Sequence, residues 1–246
     1  MGPGFRRVLL ALVPIMVCLN QGCGNQPSVE ENSVMNPDTS SFLALGDSYT
    51  IGESVDSTQR WPVQLAGALQ GEGIPTREPI IVARTGWTTD ELADGIAGAG
   101  ITGTFDLVTL LIGVNNQYRG REVEEYRAQL RDLLSQAIAF AGGDPGRVLV
   151  LSIPDWGVMP FAEGRDREQI ALEIDEYNGV KQIECGKAGV SYLDITEISR
   201  GAGSDASLVA GDGLHPSGAM YGLWAEAALP MAAAILGPES TDGGER

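Results

Sequence analysis

Five short apolar runs punctuate the chain: Phe42–Leu45, Pro79–Ala83, Asp106–Ile112, Arg147–Ile153 and Val190–Ile195. Each has the length of a strand, and helical patterns separate them, a rhythm that predicts a parallel sheet. Beyond Glu122, the residues Val123, Tyr126, Leu130, Leu133, Leu134 and Ile138 recur at helical spacing, with acids in the first turn, so a sheet-packing helix is expected there. Asp166-x-x-Gln169 reads as the cap of a second helix that turns Ile170, Ile174, Tyr177 and Val180 inward. A last helix follows His215-Pro216, because proline suits the first helical turn, and Pro230 should kink or end it before Leu236. With no internal repeat and no second linker, the pattern predicts one α/β domain over residues 41–236.

The flanks read differently. Arg6 and Arg7 precede a 12-residue apolar run, Val8 to Leu19, then Asn20-Gln21 and the small pair Gly22-Cys23. That order marks residues 1–22 as a secretion signal, and the run falls short of the roughly 20 residues that span a bilayer. Gly22-Cys23 also resembles the end of a lipobox, although Leu19 stands one position earlier than such sites usually have it. Two addresses follow: lipidation at Cys23 and anchoring in the cell envelope, or plain secretion to the periplasm or medium. Residues 23–40, rich in Asn, Pro, Ser and Glu, read as a flexible tether, and residues 237–246 as a disordered tail.

Composition narrows the partners. Hydrophobic residues are 43% and charged residues 20% of the 246, ordinary for a folded domain. A net charge of −17 and a pI near 4.3 oppose capture of phosphate backbones, so nucleic acid is not an expected partner. Of Cys18, Cys23 and Cys185, the first lies in the signal and the second is the lipid candidate, so no disulfide framework is implied. Cys185 sits in a helical pattern and reads as a buried, inert thiol.

In open parallel sheets ligands bind beyond the carboxyl ends of the strands. Four of the five runs end there in polar clusters: Gly46-Asp47-Ser48, Arg84-Thr85-Gly86-Trp87, Gly113-Val114-Asn115-Asn116 and Pro154-Asp155-Trp156-Gly157. The single histidine, His215, stands three residues after Asp212, which excludes zinc sites built on several histidines. A short loop can turn the Asp212 carboxylate onto one imidazole nitrogen and leave the other free to take a proton from a serine hydroxyl. Ser48, just past the first strand, has the placement for that serine, although Gly-Asp-Ser by itself reads equally well as a turn.

Taken in order, Gly46-Asp47-Ser48, the glycine at 86, Gly113-x-Asn115 and Asp212-x-x-His215 resemble the four blocks of the SGNH (GDSL) hydrolase superfamily, over about Phe42 to Trp224. The resemblance implies a flavodoxin-like three-layer α/β/α sandwich with a central parallel sheet of about five strands. It also implies Ser48 as nucleophile, His215 as base and Asp212 as its orienter. The Ser48 and Gly86 N–H groups and the Asn115 amide would form the oxyanion hole. Tyr49 stands where the name-giving Leu would be, and Asn116 replaces an Asp that often follows the third-block Asn.

The activity expected on that basis is hydrolysis of a carboxylic ester through an acyl-enzyme on Ser48, with no metal or cofactor. The substrate would be a small-molecule, carbohydrate or lipid ester. Acyl transfer to an alcohol and non-catalytic glycan or peptide binding on the same sheet edge are the alternatives. Trp87, Tyr118, Trp156 and Phe161 fall near strand ends, where aromatic walls hold an acyl chain or sugar ring, or simply pack the core. Trp87, Trp156 and Arg119 are the expected substrate contacts, with Arg119 meeting a substrate anion or a surface acid. Gly98-Ala99-Gly100-Ile101-Thr102-Gly103 matches a dinucleotide fingerprint but follows a helical pattern, where the fingerprint should follow a strand.

Overall fold

The computed structural model describes residues 39–237, so the signal, Cys23, most of the tether and nearly all of the tail lie outside the described residues. Five strands form one all-parallel sheet: β1 (Phe42–Gly46), β2 (Ile80–Ala83), β3 (Leu107–Leu111), β4 (Val148–Leu151) and β5 (Ser191–Leu193), in the order β2-β1-β3-β4-β5. This is the flavodoxin-like order. β1, β3 and β4 are buried at every position, which is why they read as near-continuous apolar runs broken only by Thr109: helices cover both faces. β2 and β5 are edge strands and stay partly open.

Eight α-helices accompany the strands among the described residues: α1 (Ser48–Ile51), α2 (Trp61–Gly71), α3 (Thr89–Ala99), α4 (Val114–Tyr118), α5 (Val123–Phe140), α6 (Arg167–Ala188), α7 (Thr196–Arg200) and α8 (Gly218–Leu236). α2 packs on α8, and α5 packs on α3 and α6. The expected inward stripe of α5 is buried at Tyr126, Leu130, Leu133 and Leu134, with Val123 and Ile138 half-buried at its edge. In α6, Asp166 caps by accepting from the Gln169 N–H at 3.0 Å, and Ile170, Ile174, Tyr177 and Val180 are buried.

The last helix departs from expectation at its start. Pro216 precedes the cap, and Ser217 takes the capping place by accepting from the Met220 N–H. Of the two outcomes expected at Pro230, a kink or an end, the end does not occur, and the helix runs through it to Leu236. The carbonyl that proline leaves unpaired is that of Glu226, and both residues are exposed, so water can satisfy it. α2, with the sequence WPVQLAGALQG, shows no clear polar face because two of its three exposed positions, Gly67 and Gly71, are glycines beside Gln70, and no period announces it.

The chain leaves β1 for β2 on one side and returns to β3 on the other. That reversal opens a crevice between the segments after β1 and β3, the place where such sheets bind ligands. α6 fastens the neighbouring edge: Asn178 accepts from the Ile153 N–H at 2.7 Å and donates to its carbonyl at 3.0 Å. Lys181, fully buried, donates to the Leu151 carbonyl at 2.9 Å, and burial pulls its ammonium down to about 8.

Candidate active site

Ser48 opens α1 immediately after β1. Gly46 is required there for room: a Cβ would lie 2.2 Å from Thr50 Oγ1 and 2.4 Å from the Leu111 carbonyl oxygen, so only glycine lets α1 sit so close to β3. Asp47 caps the turn by accepting from the Tyr49 N–H at 3.0 Å. Its carboxyl is fully buried, its second oxygen has no partner among the described residues, and burial pushes it up to about 7.

The Asp212–His215 loop closes on itself. Asp212 Oδ1 accepts from the backbone N–H of Leu214 at 2.9 Å and of His215 at 3.0 Å, while Oδ2 meets His215 Nδ1 at 2.6 Å. A further donor, Ser54 Oγ, reaches the same Oδ2 at 2.6 Å. Burial pushes this carboxyl up, but the hydrogen bonds from Ser54 and His215 outweigh it and hold Asp212 well below the usual carboxylate range. The imidazole is walled on one side by Tyr49, whose ring lies edge-on at 5.6 Å between centres and in turn leans on Trp224. The residue that departs from the GDSL pattern therefore packs directly on the histidine.

Ser48 and His215 line one cleft of about 160 Å³ together with Tyr49, Asn115, Trp156 and Leu214. Larger concavities of about 580 and 680 Å³ open elsewhere, and neither contains these groups. Among the described residues the Ser48 hydroxyl has no hydrogen-bond partner, so its contact with the imidazole is not closed here. Serine–histidine bonds in unliganded sites are commonly long and tighten on substrate.

The expected oxyanion donors come from three segments. Gly86 has φ +85°, a conformation that favours glycine. The Ser48 and Gly86 N–H groups donate to nothing among the described residues. Asn115 donates one amide N–H to the Trp87 carbonyl at 2.9 Å, which fixes the plane of the amide and leaves a second N–H unspent. Gly113, with φ +124°, has no space for a Cβ against Ile153 and Tyr126, so the chain turns sharply into α4 and presents Asn115 to the cleft. Asn116, the second departure, is buried and exchanges bonds with Thr89, its Oδ1 taking the Thr89 N–H at 3.1 Å and its Nδ2 reaching Thr89 Oγ1 at 2.7 Å. It ties the segment after β3 to the segment carrying Gly86.

The expected substrate contacts divide. Trp156 lines the cleft, with its indole N–H donating to Gln117 at 2.8 Å. Trp87 turns its ring onto Gly95 of α3, where a Cβ would come within 2.1 Å of it, and is not among the cleft-lining residues. Arg119 takes the surface-pair course, bonded to Glu91 at 3.3 Å and to the Gly86 carbonyl at 2.5 Å. Tyr118 and Phe161 join Trp156 in the cleft wall. Ser54 and Arg165 escaped the sequence reading, and no local signal marks either. Residues 98–103 span the end of α3 and the loop after it, with Gly100 as the left-handed cap, and not the strand-to-helix turn of a nucleotide site. Cys185 is buried, and burial raises its thiol to about 11.

Solved structures share this architecture. TesA superposes with a TM-score of 0.63 at 21% identity, over 80% of this chain and 99% of its own. Axe2, an acetylxylan esterase from Geobacillus stearothermophilus, gives 0.60 at 19% identity, over 81% of this chain and 95% of its own. A lipase/acylhydrolase from Enterococcus faecalis gives 0.60 at 20%, over 82% and 99%. No curated protein matches this chain. The model of the GDSL-like lipase/acylhydrolase family matches residues 44–223, and the chain belongs to that family, a hydrolase acting on ester bonds.

Proposed function

We propose that this hydrolase cleaves a carboxylic ester through an acyl-enzyme on Ser48. The observation that carries the reading is that His215, held by Asp212 at 2.6 Å, lines the same cleft as Ser48. Ser48 Oγ attacks the carbonyl carbon while His215 Nε2 takes its proton. Asp212 holds Nδ1–H and offsets the imidazolium charge. The oxyanion is received by the Ser48 and Gly86 N–H groups and the Asn115 amide. Collapse expels the alcohol with the proton from His215, and a water molecule then repeats the sequence to release the acid.

The cleft, about 160 Å³, is small beside the roughly 300–1,000 Å³ of drug-sized pockets, which suits a short acyl group. A fluorophosphonate probe with peptide mass analysis tests the nucleophile: the adduct is expected on Ser48, and an intact Ser48 peptide after exhaustive treatment overturns the assignment. Location belongs to the same proposal. Arg6-Arg7, the apolar run and Gly22-Cys23 support export and lipid anchoring at Cys23. Incorporation of a palmitate analogue that is lost in Cys23→Ala supports the anchor, whereas a soluble, unlabelled exported protein means secretion.

A further inference from the structure

Arg165 is a cation held in place without an acid. Its guanidinium carbon lies 5.1 Å from the ring centre of Tyr118, 5.2 Å from Trp156 and 5.4 Å from Phe161. Nη2 donates to the Tyr118 hydroxyl at 3.1 Å. Among the described residues no carboxylate is paired with it, although acids outnumber bases 33 to 16 along the chain. Its neighbours are already engaged, Arg119 by Glu91 and Arg167 by the Val158 and Met159 carbonyls. The three rings that hold Arg165 line the same cleft as Ser48 and His215. Phe161 is further tied to the histidine loop, its N–H donating to the Gly213 carbonyl at 2.9 Å.

A guanidinium stacked on rings keeps its planar fork oriented and leaves N–H groups unspent, the arrangement that meets a carboxylate with two parallel bonds. Arg165 does not itself line the cleft but is exposed on the rings that wall it, and in a chain of net charge −17, which repels anions at a distance, a cation kept free of acids beside the cleft is suited to meeting an anionic ligand. We propose that Arg165 is the anion-recognising residue of this cleft, and that the preferred substrate is an ester carrying a carboxylate, with its intervening ring or chain lying on the Tyr118–Trp156–Phe161 wall. This rests on the hydrolase reading and specifies its substrate class.

The test is a comparison of paired esters. On the alcohol side, 4-acetoxybenzoate is set against 4-acetoxybenzamide. On the acyl side, 4-nitrophenyl hydrogen adipate is set against 4-nitrophenyl pentanoate. The ratio of kcat/KM, anionic over neutral, is measured for wild type, R165Q and R165K, with S48A as the blank. The ratio is expected to fall about tenfold in R165Q for at least one pair, as befits a lost charge-assisted contact. R165K, which keeps the charge without the stacked plane, should fall between, and added salt should lower the wild-type ratio. The pair that responds tells which side of the ester bears the anion. Ser48-dependent turnover of both pairs at ratios unmoved by R165Q overturns the anion inference and leaves the hydrolase reading standing. No Ser48-dependent turnover of any of the four esters overturns both.

Discussion

Ser54 donates its hydroxyl to Asp212 Oδ2 at 2.6 Å, the same oxygen that meets His215 Nδ1 at 2.6 Å. It does so from φ +65°, the only non-glycine residue in the left-handed region among those described. A serine held there at a steric cost implies that the hydroxyl is needed where it stands.

Two variants separate the bond from the backbone. Ser54→Ala loses the hydroxyl and keeps the strain, while Ser54→Gly loses the hydroxyl and relieves it. Both are expected to lower kcat about tenfold, corresponding to about 1.4 kcal/mol, the low end for a hydrogen bond to a charged group. Ser54→Gly should be more stable than Ser54→Ala in urea, by about 1–2 kcal/mol, since it alone relieves the left-handed backbone. Unchanged kcat in both would remove Ser54 from the positioning of Asp212.

Asn115→Ala tests the oxyanion donor. The expected loss is about 10²–10³ in kcat with little change in KM, since the amide is called on when charge develops. An effect confined to KM would make Asn115 a substrate-holding group.

Tyr49 is the ring against which the imidazole rests. Tyr49→Leu installs the residue that the GDSL pattern has at this place, but it removes the edge contact and leaves space between His215 and Trp224. The variant should lose about 1–3 kcal/mol of stability and several-fold in kcat, and Tyr49→Phe should restore most of both. If Tyr49→Phe is as impaired as Tyr49→Leu, the phenol rather than the ring is what matters.

Asp47 sets a pH dependence of stability. Burial pushes its carboxyl from 3.8 to about 7, so the folded protein retains a proton that the unfolded chain releases, and stability drains away as pH rises through that window. Tyr49 N–H and the charge of Lys181 act against the shift, and Lys181, itself pulled down from 10.5 to about 8, contributes a slope of the opposite sign above that pH, clear of the Asp47 window. Asp47→Asn should therefore gain on wild type by about 3 °C or more in Tm between pH 5 and pH 7.5. Melting curves that keep a constant separation across that range would show that the carboxyl titrates normally.

Much of this was legible in local pattern. The strands β1, β3 and β4 are apolar at every position but Thr109 because both faces are covered, and the inward stripe of α6 is visible because its outer face meets water. The Asp212-x-x-His215 contact is also local, since three residues suffice to fold the carboxylate back onto the ring. α2 was not legible, because its exposed positions are mostly glycine and give no polar face to betray its period. Nor was the fate of Pro230, which depends on whether its freed carbonyl partner faces solvent.

The sequence by itself determined the alternation of strands and helices, the sheet edge that carries the chemistry, and the residue types available there. Tertiary structure alone decided which side chains meet across long separations. It set Ser54 against Asp212, 158 residues apart, turned Trp87 away onto α3, gave Arg119 to Glu91, and stacked Arg165 on three rings of the cleft. Side-chain partners depend on where loops come to rest, and that is fixed by packing and by competition for each charge and hydrogen-bond donor over the whole surface, which no stretch of sequence encodes alone.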